Sequence, residues 1–439
     1  MTRPPKGSVL VLSLGFASIL SLGLLLYLSV SGVLHDKTRG QHLADMAALS
    51  VSTWQAQTLN YQAYANRAII ANELMMAQTL SLLSYVQHVE TLTQQTATLA
   101  SVWPGFREFA QTLHATATAA REVSLLSARA EIPFRSGFTH ALMASQQALH
   151  RTLTPFAAQG LVNEVVWSAD KRYFGQTLTV PGNPSFYWSV SKANEQQAAK
   201  NADFLEASLD GYSQDRSFDQ SAWFFPNVGC VPRQASHLLG RLVREGRTRL
   251  DEARGGWVAR DTLSLHRWRA RGWLRLCRGT AELWPLSWGE SSAVSGEPEI
   301  PSGMQATRNP AATAQASLTA ARIDGYLGLT RLHHLSEDRQ GVQQTFRVPV
   351  AVRLHDEKSP SLQILQRLTG GSKAQASGIP VLWTLSIGLT EFRPPRGEER
   401  SLAVVDGTTH LYPFWHARLA SPSIAERLAF EAAQSMEKN

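Results

Sequence analysis

The chain has 439 residues, 44% of them apolar and 18% charged, with a formal charge of +7 and a pI near 9.5. That balance excludes a disordered tail and leaves enough apolar material for about two ordinary domains. The basic excess points to an anionic neighbour such as a membrane surface, a cell-wall polymer or nucleic acid, or equally to a basic exterior with no ligand.

Residues 1–7 form a short basic tail carrying Arg3 and Lys6, and from Ser8 to Leu34 no charged residue occurs. A helix over 8–34 is roughly 40 Å long, more than the ~30 Å hydrocarbon core requires. A cleaved signal peptide has a much shorter apolar region, and a small-x-small cleavage pattern is present only weakly, as Ser29-Val30-Ser31, so an uncleaved anchor is expected. Asp36 and Asp45 offset Lys37 and Arg39 beyond the anchor, which leaves the N-terminus in the cytoplasm and the bulk in the periplasm of a bacterial inner membrane. The cytoplasmic tail is too short for a kinase or a DNA-binding module.

No proline lies between Pro5 and Pro104 and no glycine between Gly40 and Gly105. The pattern predicts helix from Gln41 to Trp103, folding back once as a hairpin. Between Met46 and Phe106 only Arg67, Glu73 and Glu90 are charged, with His88 beside them. So quiet a helix suits packing against other helices, through alanines that face either this protein's own core or a partner subunit. Arg67 cannot pair with Glu73 at a spacing of six and is expected to meet a carboxylate or a helix C-terminus on a neighbouring helix.

The string Gln41, Ala44, Asp45, Ala47, Ala48 directly after an N-terminal anchor, followed by Asn60, Tyr64, Asn66, Arg67 and Asn72, resembles the N-terminal segment of the TadE/TadG-like proteins of Flp pilus assembly, the tight-adherence (Tad) system. Tyr412-Pro413-Phe414-Trp415-x-Ala417-Arg418-Leu419 is a second, weaker likeness. The resemblance covers roughly the first 80 residues. It implies a membrane-anchored, non-enzymatic minor pilin-like or scaffold protein whose partners are the inner membrane and other pilus-assembly proteins, joined through helices as a homo- or hetero-oligomer. Two departures stand out. The position five beyond Gly7 is Leu12 where pilins carry glutamate, and no Asp-x-Ser-x-Ser metal string occurs.

Helix is expected to continue to about residue 160, with Pro104, Pro133 and Pro155 as punctuation. Phe346, Val348, Val350, Val352 and Leu354 alternate with Thr345, Arg347, Pro349, Ala351 and Arg353 as a half-buried strand, placed at a sheet edge by Pro349, and Val381, Trp383, Leu385 and Ile387 repeat the pattern. A last helix begins at Ser423, with Glu426 completing a capping box. The expected class is α+β: one transmembrane helix running into a long helical region, then a mixed α/β C-terminal part. The expected segments are 35–160 (helical, with the family-like stretch at 35–80), 161–290 (mixed α/β), 291–318 (linker or long loop) and 319–439 (α+β).

Cys230 and Cys277 are the two cysteines, and an oxidising compartment permits either a bridge or two buried thiols. Arg241 to Arg278 holds eleven arginines against Glu245, Asp251, Glu252 and Asp261, interleaved with Trp257, Trp268 and Trp273. Two readings compete there: arginine stems packed on tryptophan, or an anionic surface contacted by Arg267, Arg269 and Arg271. Topology opposes nucleic acid. His333-His334 with Glu337 and Asp338 lacks metal-ligand spacing, Gly370-Gly371-Ser372-Lys373 lacks that of a phosphate loop, and no Gly-x-Ser-x-Gly elbow occurs, so no catalytic, metal or cofactor residue is assigned. The rivals to a pilus-assembly role are an anchored periplasmic hydrolase with a diverged site and a binding module for anionic surface polymers.

Overall fold

A computed structural model describes residues 8–100, 104–180, 186, 190–192, 202–227, 229–251, 255–295, 307–330, 332–335, 345–355, 382–394 and 411–436. The principal elements are α1 (Ser8–Ala100), α2 (Pro104–Thr152), α3 (Pro155–Ala169), β1 (Tyr173–Thr177), β2 (Val190–Lys192), β3 (Phe218–Pro226), β4 (Leu239–Asp251), β5 (Gly256–Arg271), β6 (Leu276–Ala293), α4 (Pro310–Leu318), β7 (Ala321–Arg322), β8 (His333–Leu335), β9 (Thr345–Leu354), β10 (Trp383–Phe392), β11 (Trp415–Ala420) and α5 (Ile424–Met436). The protein is therefore mixed helix and sheet, opening on a long apolar helix and followed by a sheet-rich region.

The expected fold-back of the first helical region does not occur. α1 runs 93 residues without interruption. Residues 41–103 contain no glycine or proline to make the turn, and the hydroxyl side chains there bond their own backbone: Ser52 donates to the Ala48 carbonyl at 2.8 Å, Thr58 to Trp54 at 2.9 Å and Ser81 to Ala77 at 2.8 Å. At the start of α1 the apolar side chains are exposed, with Val9 at 76% and Leu12 at 77%. This section is long and apolar enough to cross a membrane.

Pro133 lies inside α2 rather than ending it, and α3 takes Pro155 at its first turn, where no intrahelical N–H is lost, with Thr154 accepting from the Ala157 N–H at 3.1 Å. In the expected linker 291–318, residues 291–293 complete β6 and Pro310–Leu318 forms α4. Residues 296–306, Val381, Gly370 to Lys373, Glu252, Glu337, Asp338, Glu398 and Glu399 lie outside the described residues.

Two compact units interleave along the chain. Unit 1 comprises Met1–Tyr64, Gln147–Ser191 and His334–Asn439; unit 2 comprises Ala65–Gln146 and Lys192–His333. Neither follows the chain-order segments expected from composition.

Unit 1 is an antiparallel sheet of order β1-β9-β10-β11. α1 contributes Leu43, Ala44, Ala47, Ala48 and Val51 to its core and α3 contributes Ala158, Val162 and Val166, against Tyr173, Val348, Val350, Val352 and Leu354. The core-facing set of β9 is placed as expected, but Pro349 and Ala351 between them are buried too, so the strand is not half-buried, and it is not at an edge either: β9 is flanked by β1 and β10. Pro349 is tolerated because its carbonyl accepts from the Leu178 N–H at 2.9 Å, so its missing donor faces the side where β1 has already ended at Thr177. The capping box at α5 forms as expected, and its Glu426 also takes two bonds from Arg347 of β9, at 2.7 and 2.8 Å.

Unit 2 is a five-stranded sheet of order β3-β4-β5-β6-β7, antiparallel except for the β6-β7 pair. The α1 section of this unit bonds to one face of β5 and α4 to the other, so Gly256 to His266 are buried throughout. Glu282 accepts from the first N–H groups of α4, Ala311 at 2.6 Å and Ala312 at 3.0 Å, a carboxylate at a helix N-terminus.

In each unit a glycine lets a strand lie directly on α1. A Cβ on Gly388 of β10 would overlap Ser52 Oγ and the Ala48 carbonyl, and one on Gly289 of β6 would overlap the Ser84 carbonyl and the His88 N–H. Gly388→Ala or Gly289→Ala should therefore lower stability by about 1–3 kcal/mol. Gly137→Ala in α2, with nothing within 4 Å of the new methyl, should raise it by about 0.5–1 kcal/mol. Urea titration of the detergent-solubilised protein separates the two outcomes.

Candidate functional site

The family-like residues of α1 fall into two sets. Gln41 bonds Asp45 at 2.9 Å and the Leu385 carbonyl at 3.1 Å, and Ala44, Ala47 and Ala48 lie in the core of unit 1. Asn60 both donates to the Trp415 carbonyl and accepts from its N–H, each at 3.0 Å. The two stretches of sequence that carry the resemblance thus meet in one unit, through a side-chain amide standing in for a strand edge. In unit 2, Asn66 is fully buried and accepts from Gln146 at 2.9 Å, while Asn72 donates to the Ala68 carbonyl at 2.8 Å and accepts from Arg135 at 3.1 Å.

Tyr64 and Arg67 behave differently, since both are exposed. The expectation that Arg67 meets a carboxylate is not met: no ion pair of Arg67 occurs among the described residues. An arginine at an outward position of α1 keeps its hydration, so no partner is needed. In the unit 2 section of α1 the buried acid is Glu73 instead.

Glu73 has no exposed surface. Its Oε2 accepts from Trp257 Nε1 and from the Tyr326 hydroxyl, each at 3.0 Å, and its Oε1 meets no partner among the described residues. Burial pushes the carboxyl up to about 7, against the partial relief of the two neutral donors. The sequence marks this residue only as a lone acid in an uncharged run; the burying partners come from β5 and from residue 326.

A second buried cluster, around Asp261 of β5, lies against the same section of α1. Arg216 grips it with Nε and Nη2 at 3.0 Å each, Arg244 Nη2 lies at 3.1 Å and Ser84 Oγ at 2.5 Å. Burial alone would raise this carboxyl, but the Arg216 fork and the Ser84 hydroxyl hold it below the usual range. His88 lies nearby, bonded to Ser287 through Nδ1 at 2.9 Å, and burial pushes its imidazole down to about 4, which leaves it neutral. Ser84, His88 and Asp261 are the residue types of a hydrolytic triad, yet Ser84 bonds Asp261 rather than His88 and all three are closed off from solvent. The arrangement locks β5 to α1.

Cys230 and Cys277 form a disulfide with Cα atoms 5.0 Å apart. At a sequence separation of 47, the closed loop restricts the unfolded chain by roughly 4 kcal/mol in the entropy model.

The arginine-rich segment divides in two. Toward its start three arginines are paired or packed: Arg241 with Asp219 and over the Trp268 ring, Arg244 over Tyr85, Arg260 with Glu290 at 2.7 Å, while Arg249 is exposed. Trp257 is fully buried. Arg267, Arg269 and Arg271 are exposed, with no ion pair among the described residues. His333 and His334 form part of β8, and no group of three or more metal-ligating side chains occurs among the described residues.

The chain matches no protein-family model, no curated protein and no solved structure.

For Glu73 the sign follows from its raised affinity for a proton. The folded value near 7 exceeds the ordinary 4.5, so the stability it contributes is complete below about pH 4.5 and is lost as pH rises through about 7. Glu73→Gln keeps an acceptor for Trp257 and Tyr326 and removes the ionisation. It should be more stable than the parent at pH 8, by an amount on the order of 1–3 kcal/mol, and the gap should close toward pH 5. Denaturant titrations at the two pH values provide the comparison.

Proposed function

We propose that this protein is a membrane-anchored, non-enzymatic component of a Tad/Flp pilus-assembly apparatus. It sits in the bacterial inner membrane with its N-terminus in the cytoplasm and both units in the periplasm, and works through helix packing and protein contacts. The observation that carries this reading is the outward face of α1 in unit 1. While Ala44, Ala47, Ala48 and Val51 turn inward, Met46, Leu49, Tyr61 and Tyr64 stand on the opposite side, 39–60% exposed, within the stretch that resembles the TadE/TadG-like proteins. At 100° per residue these four span an arc of about 120°, as two apolar pairs on either side of the exposed Gln57, an outward face of the kind a partner helix covers.

The exposed apolar start of α1 is the other support, since a bilayer is the surrounding that makes its exposure favourable. The test is co-purification from detergent-solubilised membranes. The parent protein should bring down pilus-platform proteins. Met46→Glu with Tyr64→Glu should cut that recovery at least tenfold while leaving membrane retention and the melting transition unchanged. A clean monomer from the parent, or full recovery by the double variant, overturns the reading.

A further inference from the structure

One end of the unit 2 sheet is built unlike the rest of the surface. β3 and β5 finish there and β4 and β6 begin there, so the loops around residues 227–238 and 272–275 share that end. The loops are fixed to each other. The Cys230–Cys277 disulfide joins them, the Val231 N–H donates to the Arg275 carbonyl at 2.9 Å, and the Cys277 N–H donates to Val231 at 3.0 Å.

At the apex of the β5-β6 turn, closed by the Arg275 N–H on the Gly272 carbonyl at 3.1 Å, stand Trp273 and Leu274. Trp273 is 91% exposed. An indole contributes nothing to turn geometry, which favours glycine, asparagine or proline at such positions. Trp223, Phe224, Val231 and Leu238 extend the exposed apolar surface on the same end, Trp223 at 82%.

Behind this apolar edge stand Arg267, Arg269, Arg271, Arg275 and Arg278, all exposed and without an ion pair among the described residues. No aspartate or glutamate occurs in 220–244 or in 262–281. A surface with aromatic and aliphatic side chains foremost and guanidinium groups set behind them matches a lipid interface, where indoles lie at headgroup depth and cations meet anionic phosphate. A polymer site built on charge alone has no use for Leu274, Val231 and Leu238 at the extremity.

We propose that this disulfide-bridged end of the sheet docks on the surface of an anionic phospholipid bilayer. The proposal rests on the anchored reading above only in requiring a bilayer within reach. The loops are already ordered, so binding adds little ordering cost. Arginines and apolar tips together give the two signals that stable interfacial attachment needs.

The full chain, held through its anchor in nanodiscs of phosphatidylcholine, is mixed with large vesicles of either phosphatidylcholine or equal parts phosphatidylcholine and phosphatidylglycerol. Sedimentation reads transfer of discs to the vesicles, and brominated acyl chains confined to the vesicles read insertion by tryptophan quenching. The parent should bind the anionic vesicles only. Arg267→Gln, Arg269→Gln and Arg271→Gln together should weaken binding on the order of a hundredfold. Trp273→Ser with Leu274→Ser should weaken it roughly tenfold and remove most of the quenching. Equal binding to both vesicle types, or no effect of either variant, overturns the proposal. So does a serine variant that binds vesicles like the parent while the chain is retained on DNA or heparin, which would assign the arginines to a soluble polyanion. A chain that fails to enter the discs refutes the anchor alone, and the same sedimentation then runs on the free chain.

Discussion

One helix with almost no charge supplies a wall of the core to two separate sheets, and both sheets are shaped to fit it. Such a helix cannot be solvated along its length at acceptable cost, so each part of α1 that leaves the apolar section must be covered. The covering is close because the residues at the contact are small on both sides: alanine and serine on the helix, glycine at 388 and 289 on the strands. Backbone then lies on backbone, and the side-chain hydroxyls of the helix turn back to their own carbonyls instead of competing for water.

Polar residues on this same helix set the register that hydrophobic contact alone would leave loose. Asn60 fixes β11 by matching both backbone groups of Trp415, and Ser84 with Asp261 fixes β5. A slip by one residue in either strand would leave these groups buried without partners, which costs more than a shifted apolar contact. Glu73 is the exception. It is held by neutral donors only, so its protonation state, and with it part of the stability of unit 2, follows the pH of the surroundings.

What was legible in the residues was local. The apolar start of α1, the period-2 alternation of β9 and the capping box at Ser423 and Glu426 each depend on neighbours within a few positions, and each was readable. The continuity of α1 was misjudged because length, rather than any breaker residue, argued for a turn. Pro349 was misplaced for a related reason: its missing donor faces the end of β1, a fact of pairing between residues 178 and 349 that no local pattern contains. The importance of Glu73 over Arg67 was hidden likewise, since which face of a helix is buried depends on Trp257 and Tyr326. The arginine-rich segment mixed both situations: Arg241, Arg244 and Arg260 are held in the structure, whereas Arg267, Arg269 and Arg271 have no ion pair among the described residues.

The interleaved chain path has a consequence for the order in which the protein is made. Unit 2 is complete once residue 333 has emerged, whereas unit 1 begins at the N-terminus and waits for β11, whose Trp415 lies 355 residues beyond Asn60. A ribosome delivers the chain from its first residue onward, so α1 spends most of synthesis with its alanine face uncovered. The inserted unit matures inside a host that is still incomplete, and the final hundred residues act as the closing piece. Premature termination anywhere in that stretch would release a folded insert attached to an open, sticky half-unit, a species suited to recognition by chaperones and proteases rather than to assembly.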